Sequence, residues 1–286
     1  MRRIWSFLVV GLVLGSALSA SAQIRSVKTR WAERSLTLPS QVLRLDLAPP
    51  DHALLDSGVL GEGYGLRFSG WDDDRDGDPD DVVVISGVGL AYGITSTFEL
   101  GAKVLPVRFH PDPDYLDLEV YGRFAFVRTR VADMGFQLNV QLPTDRPRMG
   151  GIGAGMPIRI RMGEVGRLDF GIELETLFWD LDGDGDLEVD FNLDVPVALA
   201  FSITERFYVG GSFGLLFADF DRVAVRGGGH VGYTVGRRSP LVDFTGAFNF
   251  YGGDRYHYGH ARDAAWRSGG YRRWEIIGGL RVHFRL

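Results

Sequence analysis

Two acidic runs are the stretches of this chain best suited to binding chemistry. Asp72, Asp74, Asp76, Asp78 and Asp80 stand at alternate positions around Gly77. Asp180, Asp182, Asp184, Asp186 and Glu188 do the same around Gly185. Alternate carboxylates on a tight loop can converge on one centre, and Ca²⁺ takes roughly 6–8 oxygen ligands. The spacing matches the first half of a helix–loop–helix calcium loop but lacks its last ligand, because the twelfth positions are Val83 and Phe191. Two readings stand: a weak Ca²⁺ site, on the order of 10⁻⁴–10⁻³ M, able also to bridge to lipopolysaccharide phosphates, or a solvated acidic rim. A second set of reactive types, His257 and His260 beside Asp254, Asp263 and Ser268, holds the residues of a lipid hydrolase. No His-rich metal motif accompanies it. The reading is of a non-enzyme, with a lipid-modifying hydrolase as an alternative.

Each acidic run follows a tryptophan, Trp71 or Trp179, and precedes an alternating segment. From Val189 to Ile203 every odd residue is apolar, while the even ones are Asp190, Asn192, Asp194, Pro196, Ala198, Ala200 and Ser202. That is period two, a β-strand with one apolar face. It is longer than the ~5–6 residues usual in soluble sheets and suits the ~9–11 residues of a tilted membrane strand. The pattern recurs over 62–70, 82–94, 98–109, 117–128, 134–142, 152–162, 167–178, 189–203, 206–218, 223–235, 241–251 and 271–286. Short connections alternate with longer polar ones. The expected fold is all-β: an antiparallel transmembrane barrel of about twelve strands, with short periplasmic turns and longer extracellular loops. Trp71, Trp179, Trp274, Tyr271, Tyr92, Tyr208 and Tyr233 fall near strand ends, as an interfacial aromatic girdle would.

The start of the chain fits export. Arg2 and Arg3 precede an apolar stretch from Ile4 to Leu18 and an Ala20-Ser21-Ala22 cleavage signal. Residues 1–22 are therefore expected to be a cleaved signal peptide, 23–61 a periplasmic extension, extra strand or plug, and 62–286 the barrel. The net charge is −6, and −8 without the leader's two arginines, which argues against a nucleic-acid partner. The absence of cysteine excludes disulfides, thiolate metal sites and thiol nucleophiles.

The turn Gly93-Ile94-Thr95-Ser96-Thr97-Phe98-Glu99-Leu100-Gly101 resembles the strand–turn–strand signature of Gram-negative outer-membrane barrels associated with phenol degradation and of related porin-like transporters. Ser202-Ile203-Thr204-Glu205-Arg206-Phe207-Tyr208-Val209-Gly210 is a second copy, 109 residues on. The resemblance implies an outer-membrane location, assembly by the barrel-assembly machinery, and contact with outer-membrane lipid and lipopolysaccharide.

The inward face carries both signs. Glu173, Glu175, Asp190 and Asp194 lie on middle strands; Arg159 and Arg161 on one strand, and Arg273, Arg281 and Arg285 on the last, supply the basic groups. Opposed acidic and basic walls would set a transverse field across a water-filled lumen; alternatively the charges pair and fill it. The expected function is passive passage of small solutes, with a structural or surface-interaction barrel as the alternative.

Overall fold

The computed structural model describes residues 27–47, 65–72, 81–103, 107–110, 114–115, 118–142, 148–179, 188–218, 220, 222–236, 239–253 and 271–286. Within these, a short 3₁₀ turn at Trp31–Glu33 is the one helical element. The strands are β1 (Val42–Leu47), β2 (Gly65–Asp72), β3 (Asp81–Gly87), β4 (Gly89–Gly93), β5 (Phe98–Lys103), β6 (Val107–His110), β7 (Asp114–Tyr115), β8 (Leu118–Arg128), β9 (Ala132–Leu142), β10 (Arg148–Met162), β11 (Gly166–Trp179), β12 (Glu188–Ser202), β13 (Phe207–Ala218), β14 (Arg222–Val235), β15 (Leu241–Gly253) and β16 (Tyr271–Arg285).

The protein is a closed, antiparallel, twelve-strand barrel. From β8 to β16 each strand pairs with the next in sequence, and closure runs from β16 through β1 to β4, β5 and back to β8. Three positions around the wall are built from collinear pieces: β3 with β4, β5 with β6, β7 with β8. A fourth is split between distant parts of the chain. β1 pairs with the last half of β16, Val42 opposite Arg285 through Leu47 opposite Leu280. β2 pairs with its first half, Tyr271 opposite Asp72 through Gly278 opposite Leu66. The barrel wall thus takes in residues 42–47, part of the 23–61 stretch for which an extra strand was one of three expectations.

Alternation along the strands becomes inside and outside here, with the polarity of a soluble protein reversed. In β9 the outward residues Phe136, Leu138, Val140 and Leu142 are exposed, while Gln137, Asn139 and Gln141 between them are buried. Leu174 and Ile172 face out beside buried Glu173 and Glu175 on β11. An apolar exterior of this extent would aggregate in water and is stable in hydrocarbon. Strands of 11 to 15 residues from β8 to β16 meet or exceed the ~9–11 needed to cross. Closure leaves no open sheet edge around the ring of paired strands, as a bilayer demands.

Three of the short turns share a hydroxyl device. Thr95 Oγ1 accepts the Phe98 N–H at 3.0 Å, and Thr204 Oγ1 accepts that of Phe207 at 2.9 Å. Thr129 does the same for Ala132 at 2.8 Å, in a turn without the nine-residue signature. The side chain supplies an acceptor where the ladder stops. One girdle assignment is corrected: Tyr208 is 3% exposed and points into the barrel. Its ring stacks on Trp31 with centroids 4.1 Å apart. Tyr233 is exposed as expected.

Candidate functional site

The lumen is the site. Its half toward the short turns gathers buried Arg44, Arg123, Arg159, Arg167 and Arg281 with buried Asp46, Glu99, Asp133, Asp169 and Asp243. Neighbouring strands pair them. Arg159 on β10 sits opposite Asp169 on β11 and donates twice, at 2.7 and 3.1 Å. Arg281 on β16 pairs with Asp46 on β1, and Arg161 on β10 with Asp133 on β9. The basic groups therefore do not form a wall across from an acidic one. The transverse field is corrected to a lateral network, because inward side chains at matched register reach a neighbour before they reach the far side.

Residues 27–41 run through this half. They add no strand to the sheet; wall side chains satisfy their backbone instead. Arg167 Nη1 donates to the Trp31 carbonyl at 3.1 Å, Arg159 Nη1 to those of Arg34 and Ser35 at 3.2 and 2.7 Å, and Arg123 Nη1 to that of Leu36 at 3.3 Å. Carboxylates take the amides: Leu36 N–H donates to Asp133 Oδ2 at 2.9 Å and Leu38 N–H to Glu99 Oε2 at 2.7 Å. Arg34 forks onto Asp243 at 2.6 and 2.7 Å and also donates to Thr234 Oγ1 at 3.1 Å. His283 Nε2 lies 3.1 Å from the same carboxylate. The Arg34 and Arg167 guanidiniums both lie near the Trp31 ring, 4.9 and 4.6 Å from its centroid. Buried charges survive only when paired and hydrogen-bonded in this way.

Toward the long loops, among the described residues, the lining changes to Glu119, Glu173, Glu175, Asp194 and Glu275 with Arg226, Asn139, Gln141, Asn192 and Tyr251. Asn139 donates to Glu173 and Asn192 to Glu175, each at 3.4 Å, and Tyr251 to Glu275 at 2.7 Å. Arg226 lies 3.9 Å from Asp194.

Of the residues singled out in sequence, Arg159, Arg161, Glu173, Glu175, Asp194 and Arg281 line the lumen. Arg285 stands exposed at the short-turn mouth. The side chains of Asp190 and Arg273 lie outside the described residues, as do Asp74–Asp80, Asp180–Asp186, His257 and His260. The backbones of Asp72 and Glu188 end strands whose hairpins are closed by Trp71 opposite Asp81 and by Trp179 opposite Glu188. Sequence reading missed Trp31, Arg34, Glu99, Asp133, Asp243 and His283. For Asp243 and His283 the inward parity of β15 and β16 was signal enough; for Trp31 and Arg34 no periodicity marks them.

No family model and no curated protein matches the chain. Solved structures do match it. An outer-membrane channel from Pseudomonas putida F1 superposes with a TM-score of 0.54 at 10% identity, covering 88% of this chain and 97% of that one. The fold is that of outer-membrane porins and channels. The NanC porin gives a TM-score of 0.50 at 11% identity, covering 77% of this chain and 98% of the porin. At that identity the likeness speaks for the fold.

Proposed function

We propose that this outer-membrane-type barrel is a porin-like passive channel for small polar solutes, lying in the outer membrane of a Gram-negative cell with its short turns in the periplasm. The observation that carries the reading is the inward face: ionisable groups line the barrel through both halves at membrane depth, where they persist only against water or one another. The acidic lining of the long-loop half supports a preference for cations over anions. Planar-bilayer recording tests this. Discrete conductance steps are expected, with the cation-to-anion permeability ratio falling when Glu173 and Glu175 become Gln. Absence of steps at any voltage, from the full chain and from a barrel lacking residues 23–39, would contradict the channel reading.

The two aspartate loops, both on hairpins of the long-loop end, are proposed as weak Ca²⁺ sites at the outer rim. Millimolar binding by calorimetry, lost when Asp74, Asp76, Asp182 and Asp184 become Asn, is the expected result; equal heats from both proteins would leave a solvated rim.

A further inference from the structure

We infer that the short-turn half of the lumen is a peptide-binding site, and that residues 27–39 are its resident, exchangeable ligand. The inference deepens the channel reading only in its consequence, that an occupied site obstructs the pathway; the binding itself stands apart from conduction.

The wall addresses the segment as a receptor addresses a peptide, through its main chain and two of its side chains. Guanidiniums of Arg167, Arg159 and Arg123 take the carbonyls of Trp31, Ser35 and Leu36, and the carboxylates of Asp133 and Glu99 take alternate amides at Leu36 and Leu38. These contacts read main chain and tolerate many side chains. Two pockets read side chains. One holds the Trp31 ring against Tyr208; the other holds the Arg34 guanidinium in a two-point grip on Asp243. The ligand class follows: a peptide with an aromatic residue three positions before an arginine, the two set by a single 3₁₀ turn at Trp31–Glu33.

The attachment differs from that of the wall. From Gln41 the backbone joins the sheet, its N–H donating to the Gly93 carbonyl; before that, no ladder bond to a strand holds residues 31–38. A cleft of about 670 Å³ opens beside the segment at the short-turn mouth, bordered by its own Lys28, Glu33 and Ser35 and by Arg128, Arg130 and Arg161 of the wall. Within 31–38 only Glu33 and Ser35 are half-buried, both at this cleft, and exchange of the segment for a second peptide would run through the same mouth.

The test uses a fluorescent peptide of residues 27–40 and the barrel lacking residues 23–39, its assembly checked by heat-modifiable migration. Saturable binding is expected, weakened at least tenfold when the peptide carries Trp31→Ala with Arg34→Ala. No binding, or equal binding of the two peptides, overturns the inference. Where the shortened barrel does not assemble, Ala32→Cys with Ser202→Cys in the full chain decides, since the Ala32 N–H lies 3.3 Å from Ser202 Oγ and the chain has no other cysteine. Trypsin is expected to cut after Arg30 and Arg34 in the reduced protein and to spare them once the bond forms. Failure of the bond to form, or identical cleavage in both states, counts against the site. Peptide binding without conductance from any form would defeat the channel reading alone; conductance that ignores the bound peptide would defeat the obstruction alone.

Discussion

Residues 31–38 and 42–47 are close neighbours in sequence, yet one lies in the lumen and the other is wall. In β1 both edges are laddered, Leu45 standing opposite Val282 of β16 and Leu90 of β4. Every second side chain turns inward, and Val42, Arg44 and Asp46 are buried while Leu43, Leu45 and Leu47 are half-buried on the outer side. In the lumen segment the same backbone groups find arginine and carboxylate side chains instead. Both solutions meet the requirement that buried N–H and C=O groups be paired. Only the ladder imposes a two-residue period on the sequence, and only the ladder makes the element part of the closed wall.

Proline substitution separates the two most sharply. Leu45→Pro removes a ladder donor between two neighbours and is expected to destabilise the barrel by about 3 kcal/mol or more, read as loss of heat-modifiable migration at a lowered urea midpoint. Leu36→Pro removes the N–H that Asp133 accepts and trims a buried side chain but touches no ladder bond, and it is expected to preserve that migration. A barrel equally damaged by both would erase the distinction.

The next effect concerns the outer face. Leu174 is 43% exposed near the middle of β11. Arginine there is expected to cost up to about 2–4 kcal/mol in a bilayer, measured by unfolding in lipid vesicles. No loss would mean that this face does not meet hydrocarbon.

A smaller effect belongs to the turns. Thr204→Ala removes the acceptor for the Phe207 and Arg206 amides and is expected to cost about 0.5–1.5 kcal/mol. Thr129→Ala is expected to cost a similar amount, because its turn uses the same device without the longer signature. A large difference between the two would show that the nine-residue resemblance carries more than turn chemistry.

Much of the wall was legible because a membrane barrel writes its pleat into sequence. Leu168 to Phe178 and Val189 to Phe201 alternate cleanly, and they became β11 and β12 in matched register. What escaped was non-local. Nothing in Val42–Leu47 announces that it shares a wall position with Gly65–Asp72, since that depends on where both meet β16. Arg159 and Asp169 both read as inward charges because their parity was visible, whereas their pairing and the carbonyls that Arg159 takes from the segment emerge from register and from a crossing that adds no strand. Tyr208 read as a girdle residue for a related reason: proximity to a strand end was visible, and the stacking partner 177 positions earlier was not.

The most direct test of this division is a nitroxide scan from Lys28 to Leu47, one label at a time, in a chain free of native cysteine and reconstituted in bilayers. Oxygen accessibility is expected to alternate across 42–47, with maxima at positions 43, 45 and 47, and to stay low without period across 31–38. Period-two alternation running unbroken through 31–38, or free exposure of that segment to a water-soluble relaxing agent, would contradict it.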